Sequence, residues 1–134
     1  MSGLVTAVVG TRPAPRTVGP VTQTDVVRFA GAGGDFNPLH HDPEAATTAG
    51  FERPIAMGQL TAGLLAAWLT DWCGVEHLRE LSVRFTAPLR LGDVVEVAGE
   101  VTSVDDGLAV LELSVVRDGT AVLAGSATVQ VRTG

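Results

Sequence analysis

The chain has 134 residues, 46% of them hydrophobic, and a formal net charge of −6 in which every basic group is an arginine, lysine being absent. A chain of this length and apolarity can bury the core of one domain and lies far from the composition of disordered segments. It has no basic stripe and no Arg-rich arm, so neither nucleic acid nor an anionic membrane surface is an expected partner.

The single cysteine, Cys73, excludes an internal disulfide and supplies no metal framework, and it reads as a small buried hydrophobe. The opening stretch MSGLVTAVVGTRPAPRT lacks the positive flank of a secretory signal. The longest apolar run, Leu60 to Leu69, falls well short of the roughly 20 residues a membrane span needs. The expectation is a soluble, cytoplasmic domain covering residues 1–134.

In chain order, residues 4–18 alternate loosely and carry two prolines, which predicts an irregular or edge segment. Thr22 or Thr24 can then cap a short amphipathic helix bearing Val26, Val27, Phe29 and Ala30, which Gly31, Gly33 and Gly34 end. A second short helix opens on Asp42 and Pro43 and closes at Gly50. Residues 58–73, GQLTAGLLAAWLTDWC, predict the one substantial helix, with Leu60, Leu64, Trp68 and Trp72 at four-residue steps. Being apolar almost all round, it should be buried on most sides, with a sheet wrapped around it.

Four β-branched, alternating runs follow: LSVRFTAPLRL, DVVEVAGEVTSV, LAVLELSVVR and TAVLAGSATVQVR. Gly92-Asp93, Asp105-Asp106-Gly107 and Asp118-Gly119 between them are hairpin turn chemistry. The predicted class is α+β, with a central helix in a curled antiparallel sheet and the four long strands in a meander.

The segment GGDFNPLHHDPEAA, Gly33 to Ala46, gathers two Asp, two His, an Asn and two Pro in an otherwise apolar chain. Pro38 disfavours helical geometry at Asn37, so the segment is a bent loop in which Asp35 and His40 can face one point. A carboxylate and an imidazole meeting at a wet cleft can position and deprotonate water. Asp and Asn also stabilise turns, so on residue types alone a purely structural loop is an equal alternative. A metal shell is not expected: His40 and His41 are adjacent and point apart, no cysteine pair exists, and His77 reads as surface.

The stretch DFNPLHHDPEAATTAGFERPIAMGQLTAG resembles the signature of the MaoC-like, (R)-specific enoyl-CoA hydratase family, roughly G-D-x-N-P-x-H-x-D-P followed by a "piaHGM" stretch. VRFTAPLRLGDVV is similar to that family's strand after its central helix, and the similarity spans about residues 20–131. The resemblance implies the hot-dog fold and carries the family's catalytic Asp and His onto Asp35 and His40, with Asn37 as the motif Asn, a candidate for holding the loop or orienting a ligand. It implies water addition across the 2,3 double bond of an enoyl thioester, or the reverse dehydration of an (R)-3-hydroxyacyl thioester. No cofactor is implied; the substrate is carried as a CoA or acyl-carrier-protein thioester. Gly58 and Gln59, at the start of the central helix, would offer backbone N–H groups to the thioester oxygen.

Two departures from the pattern stand out. Met57 replaces the His of "HGM", and Gly63 stands where some members have a Ser, with Thr61 nearby on another helical face. His41, Asp42 and Pro43 read as the start of the next helix, and Trp68 and Trp72 as core anchors. Arg84, and after it Arg90 and Arg53, are candidates for substrate phosphates.

Two further readings are carried. In a hot-dog acyl thioesterase the central helix supplies a carboxylate, and here that helix offers only Asp71. In a heteromeric dehydratase this chain would be the catalytic subunit beside a paralogous partner. An exposed edge strand and apolar flank predict at least a homodimer.

Overall fold

The computed structural model describes residues 3–133. Its opening segment forms two short strands, β1 (Thr6–Ala7) and β2 (Arg16–Val18), on either side of Pro13 and Pro15. α1 (Gln23–Gly33) opens on a reciprocal cap, in which the Thr22 hydroxyl accepts from the Asp25 N–H and the Asp25 carboxylate from the Thr22 N–H. Those bonds hold the Asp25 carboxyl below the usual carboxylate range, so the cap's contribution is complete above that range and is lost as pH falls through the lowered pKa beneath it. The helix ends at Gly34, whose φ of 70° is left-handed. α2 (Pro43–Thr48) starts, as its sequence implies, on the Asp42 side chain with Pro43 in the first position.

The central helix, α3, runs from Gly58 to Cys73. Thr61, Leu65, Trp68, Leu69 and Cys73 form its buried face at three- and four-residue spacing. Burial on most sides does not follow: Gln59, Gly63 and Ala67 form an exposed face, and Leu60, Leu64 and Trp72 are half-buried. One sheet covers only one side of a helix, so the apolar remainder stays open in a single chain.

That sheet comprises β3 (Leu78–Phe85), β4 (Val95–Asp105), β5 (Leu108–Arg117) and β6 (Thr120–Gln130), with β2 on the outside of β4. β7 (Arg132–Thr133) leaves it to pair in parallel with β1. Val97, Leu111, Leu113, Val115 and Leu123 face inward and are buried. α3 contacts β3, β4, β5 and β6, and bulges at Thr102 in β4 and Val122 in β6 help the sheet curl around it. Trp68 anchors this core, donating from its indole N–H to Ala14 O at 2.8 Å. A Cβ on Gly99 would stand 3.1 Å from the Trp68 ring, so a strand glycine there makes room for it.

The strand order is β2-β4-β5-β6-β3, so the four long strands are not one meander. β4, β5 and β6 are joined by tight hairpins, with positive φ at Asp106 and Gly107 and again at Asp118 and Gly119, as type I′ turns require. β3 pairs with β6 at the far edge, and the link from β3 to β4 crosses the end of the sheet. Gly92 has a positive φ but Asp93 does not, so that pair is no hairpin turn. Instead, the Gly92 N–H donates to Val21 O and the Val21 N–H to Asp93 O, tying the crossover to the lead-in of α1. The Asp93 carboxylate, only 5% exposed, takes the Arg117 guanidinium at 2.8 Å and the Arg90 N–H at 2.7 Å.

Asp93→Ala strips the buried Arg117 of its counter-charge, and a stability loss of about 3 kcal/mol is expected. Arg12→Ala, which breaks an exposed pair with Glu100, should cost no more than about 1 kcal/mol. Urea-unfolding midpoints check both; a small effect at Asp93 would show the crossover clamp to be dispensable.

Candidate active site

Asp35 and His40 reach each other because α1 stops between two glycines and the chain turns back at once. The Gly34 and Asp35 N–H groups both donate to Ala30 O, closing the helix end beneath the Asp35 side chain. Pro38 to His40 then form a single 3₁₀ turn capped by Asn37, whose side-chain oxygen accepts from the Leu39 N–H at 3.0 Å. The result sets His40 Nε2 3.1 Å from Asp35 Oδ2, with the imidazole side chain 10% exposed and the carboxylate 44% exposed.

The other ring nitrogen decides the proton inventory. His40 Nδ1 lies 2.8 Å from Ile55 O, which can only accept, so Nδ1 carries a hydrogen. In the neutral ring Nε2 is therefore a lone pair facing a carboxylate, and their direct contact requires one proton between them. A buried base and a wet acid sharing one mobile proton can draw a proton from water and return it elsewhere.

Ile55 is held in turn. Its N–H donates to Leu39 O, Ala56 N–H donates to Leu89 O, Leu91 N–H donates to Pro54 O, and Ile55 bridges Arg90. Residues 54–56 thus form a strand-like splint between the motif loop and the crossover, and they lead directly into α3. Met57, buried, stands before Gly58 and gives the helix no side-chain cap. The first-turn amides of Gly58 and Gln59 are donors that the helix itself cannot satisfy.

The remaining sequence candidates separate. Asn37 is exposed, and its oxygen is engaged by the loop. The space freed by Gly58 is taken up by Phe85, whose ring would lie 3.0 Å from a Cβ there. Arg84 points the other way from Phe85, onto the outer face of the sheet, where it lines a mixed groove of about 710 Å³ with Ser82, Glu112, Leu113 and Ser126. The structure therefore does not bring Arg84 beside His40. Arg53 donates to Leu91 O, and Arg90 lies against Asp93.

His77 is not ordinary surface: its side chain is 13% exposed and pairs with Glu76. Burial pushes the Cys73 thiol up, the opposite of what a nucleophile needs. Among the described residues no group of three His, Cys, Asp or Glu side chains is placed to hold a metal ion, and no helix is long and apolar enough to cross a membrane.

Beside the first turn of α3 an apolar cleft of about 590 Å³ opens, lined by Val18, Val21, Phe29, Leu60 and Leu64 together with Asp25 and Arg28. At Gly63 a Cβ would meet nothing within 4 Å, so the departure from Ser leaves open space, while Thr61 turns into the core. Sequence reasoning missed the Ile55 carbonyl, because a backbone group leaves no residue signature. It also missed Gln23, whose amide donates to His40 O at 2.9 Å; the T-Q-x-D cap that sets its position was the available signal.

If Asn37 acts by holding the loop, Asn37→Ala should cost about 1 kcal/mol, and Asn37→Asp, which keeps the accepting oxygen, should recover most of it. Thermal unfolding of the two variants checks this, and equal losses would point to the amide NH₂ instead.

The sequence profile of the MaoC-like domain family matches residues 5–122. The (R)-specific enoyl-CoA hydratase of Aeromonas caviae is 37% identical over 113 residues, covering 80% of this chain and 84% of that one. The solved (R)-hydratase from A. caviae superposes with a TM-score of 0.82 at 31% identity, over 94% of this chain and 98% of that one. A chain of the ChsH1–ChsH2 complex from Mycobacterium tuberculosis superposes with a TM-score of 0.83 at 26% identity, over 93% of this chain and 98% of that one. The curled sheet around a central helix is the hot-dog fold of these proteins.

Proposed function

This chain belongs to the MaoC-like domain family, and from that premise we propose that it is a hydro-lyase that adds water with (R) specificity to 2-enoyl thioesters or removes it from (R)-3-hydroxyacyl thioesters. The observation that carries the reading is the Asp35–His40 contact, with the ring turned so that Nε2 faces the carboxylate. In the hydration direction the pair takes a proton from a water whose oxygen bonds to C3, and a proton is delivered to C2. Electron density moves onto the thioester oxygen, where the free first-turn amides of Gly58 and Gln59 can stabilise it. Every step is redox-neutral, so side chains and backbone donors suffice without a cofactor.

The apolar cleft beside Leu60 and Leu64 suits an acyl chain. Nothing favours the thioesterase alternative, because Asp71 lies near the far end of α3, 66% exposed and paired with Arg16 at 2.7 Å.

The open face of α3 and the unpaired outer edge of β3 support a second subunit, which we take to be another copy of this chain. A paralogous partner is the alternative, favoured by the likeness to the two-component mycobacterial complex. Light scattering should give a dimer at micromolar concentration. A monomer that is inert alone and active only with a paralogue would support the heteromer instead.

The enzymatic test follows the conjugated enoyl-thioester absorbance with trans-2-enoyl-CoA substrates of short, medium and bulky acyl groups. Asp35→Asn and His40→Ala should each lower kcat by about 10²–10⁴-fold. An active wild type whose rate survives both substitutions would rule the mechanism out, and release of free thiol would identify a thioesterase.

A further inference from the structure

His40 sits on a single 3₁₀ turn, and a turn that short has few bonds of its own. Its N–H donates to Asn37 O, and the next two N–H groups donate to Pro38 O. Nothing in that set restrains the His40 carbonyl. The restraint comes from 17 residues away, where Gln23 Nε2 donates to His40 O at 2.9 Å in a half-buried contact. A carbonyl oxygen can only accept, so the amide must present its NH₂ group there.

Gln23 is itself well fixed. It is the first residue of α1, directly after Thr22 and inside the reciprocal cap with Asp25. The other end of the same helix closes under Asp35, whose carboxylate meets the His40 ring. Both ends of α1 therefore bear on one residue, the start on its main chain and the end on its imidazole. Ile55 holds the ring from a third side. Together they leave the His40 peptide little freedom to rotate and swing Nε2 away from Asp35.

We infer that Gln23 is a positioning residue for the proposed reaction, acting through the His40 main chain to keep Nε2 aligned with Asp35 and the attacking water. The inference rests on the Asp35–His40 reading of the site. Gln23 touches no group assigned to substrate, so its loss should slow the chemical step and leave substrate binding nearly unchanged. Small displacements of an acid–base group are costly because proton transfer demands a short, aligned path.

Gln23→Leu keeps the side-chain bulk and removes the donor, whereas Gln23→Lys keeps a donor on a flexible stem. With trans-2-enoyl-CoA as substrate, Gln23→Leu should lower kcat about tenfold while KM stays within about twofold, and Gln23→Lys should recover much of the loss. Rates are normalised to the folded fraction from near-ultraviolet circular dichroism. A kcat that returns to wild type after that normalisation would reduce Gln23 to a stability role and overturn the inference. So would a loss confined to KM. Asp35→Asn and His40→Ala run alongside: if they too keep full activity, it is the acid–base reading that fails.

Discussion

The hydrogen bond from His40 Nδ1 to the Ile55 carbonyl is the contact on which the site turns. It buries the imidazole, fixes which nitrogen carries the hydrogen and leaves Nε2 as the only ring atom able to exchange a proton. The Ile55 carbonyl is aimed at the ring because residues 54–56 are splinted between the motif loop and the crossover through Leu39, Leu89 and Leu91. The crossover is in turn pinned by Asp93, which sits under Arg117 and the Arg90 N–H. A chain of hydrogen bonds thus runs from the Asp93–Arg117 ion pair to the base of the proposed reaction.

Burial is deliberately uneven along that chain. His40 is nearly covered, whereas Asp35 is almost half exposed. The imidazole is thus held inside against the Ile55 carbonyl, while the Asp35 carboxyl lies at the lip where water arrives. α3 shows the same division. Its Leu65–Leu69 side is fully buried while Gln59, Gly63 and Ala67 face outward. Leu60 and Leu64, between those two sides, line the cleft proposed for the acyl chain.

Much of the fold was legible because its signals are local. The Thr22 cap, the Asp42-Pro43 start, the span of α3 and the two Asp-Gly hairpins each depend on a few consecutive residues. The position of β3 was not legible, since strand order depends on which edges are free after the hairpins close. Gly92-Asp93 carries the letters of a tight turn, but its hydrogen bonds go to Val21 instead. Arg84 reads in the sequence as a candidate for substrate phosphates, and the pleat places it opposite Phe85, on the outer face of the sheet away from His40.

For the site, the residues Asp35, Asn37 and His40 were readable as a motif, and the loop geometry followed from Pro38. By itself the sequence determined which side chains are available for chemistry, where the helices start and stop, and the α+β class, because composition, caps and periodicity are written in adjacent positions. Only the tertiary structure decided that Asn37 holds the loop, that Phe85 fills the space beside Gly58, and that Gln23 and the Ile55 carbonyl hold His40 from two sides. Those contacts join residues 15 or more positions apart or engage main-chain atoms that every residue shares, so no local pattern of side chains could announce them.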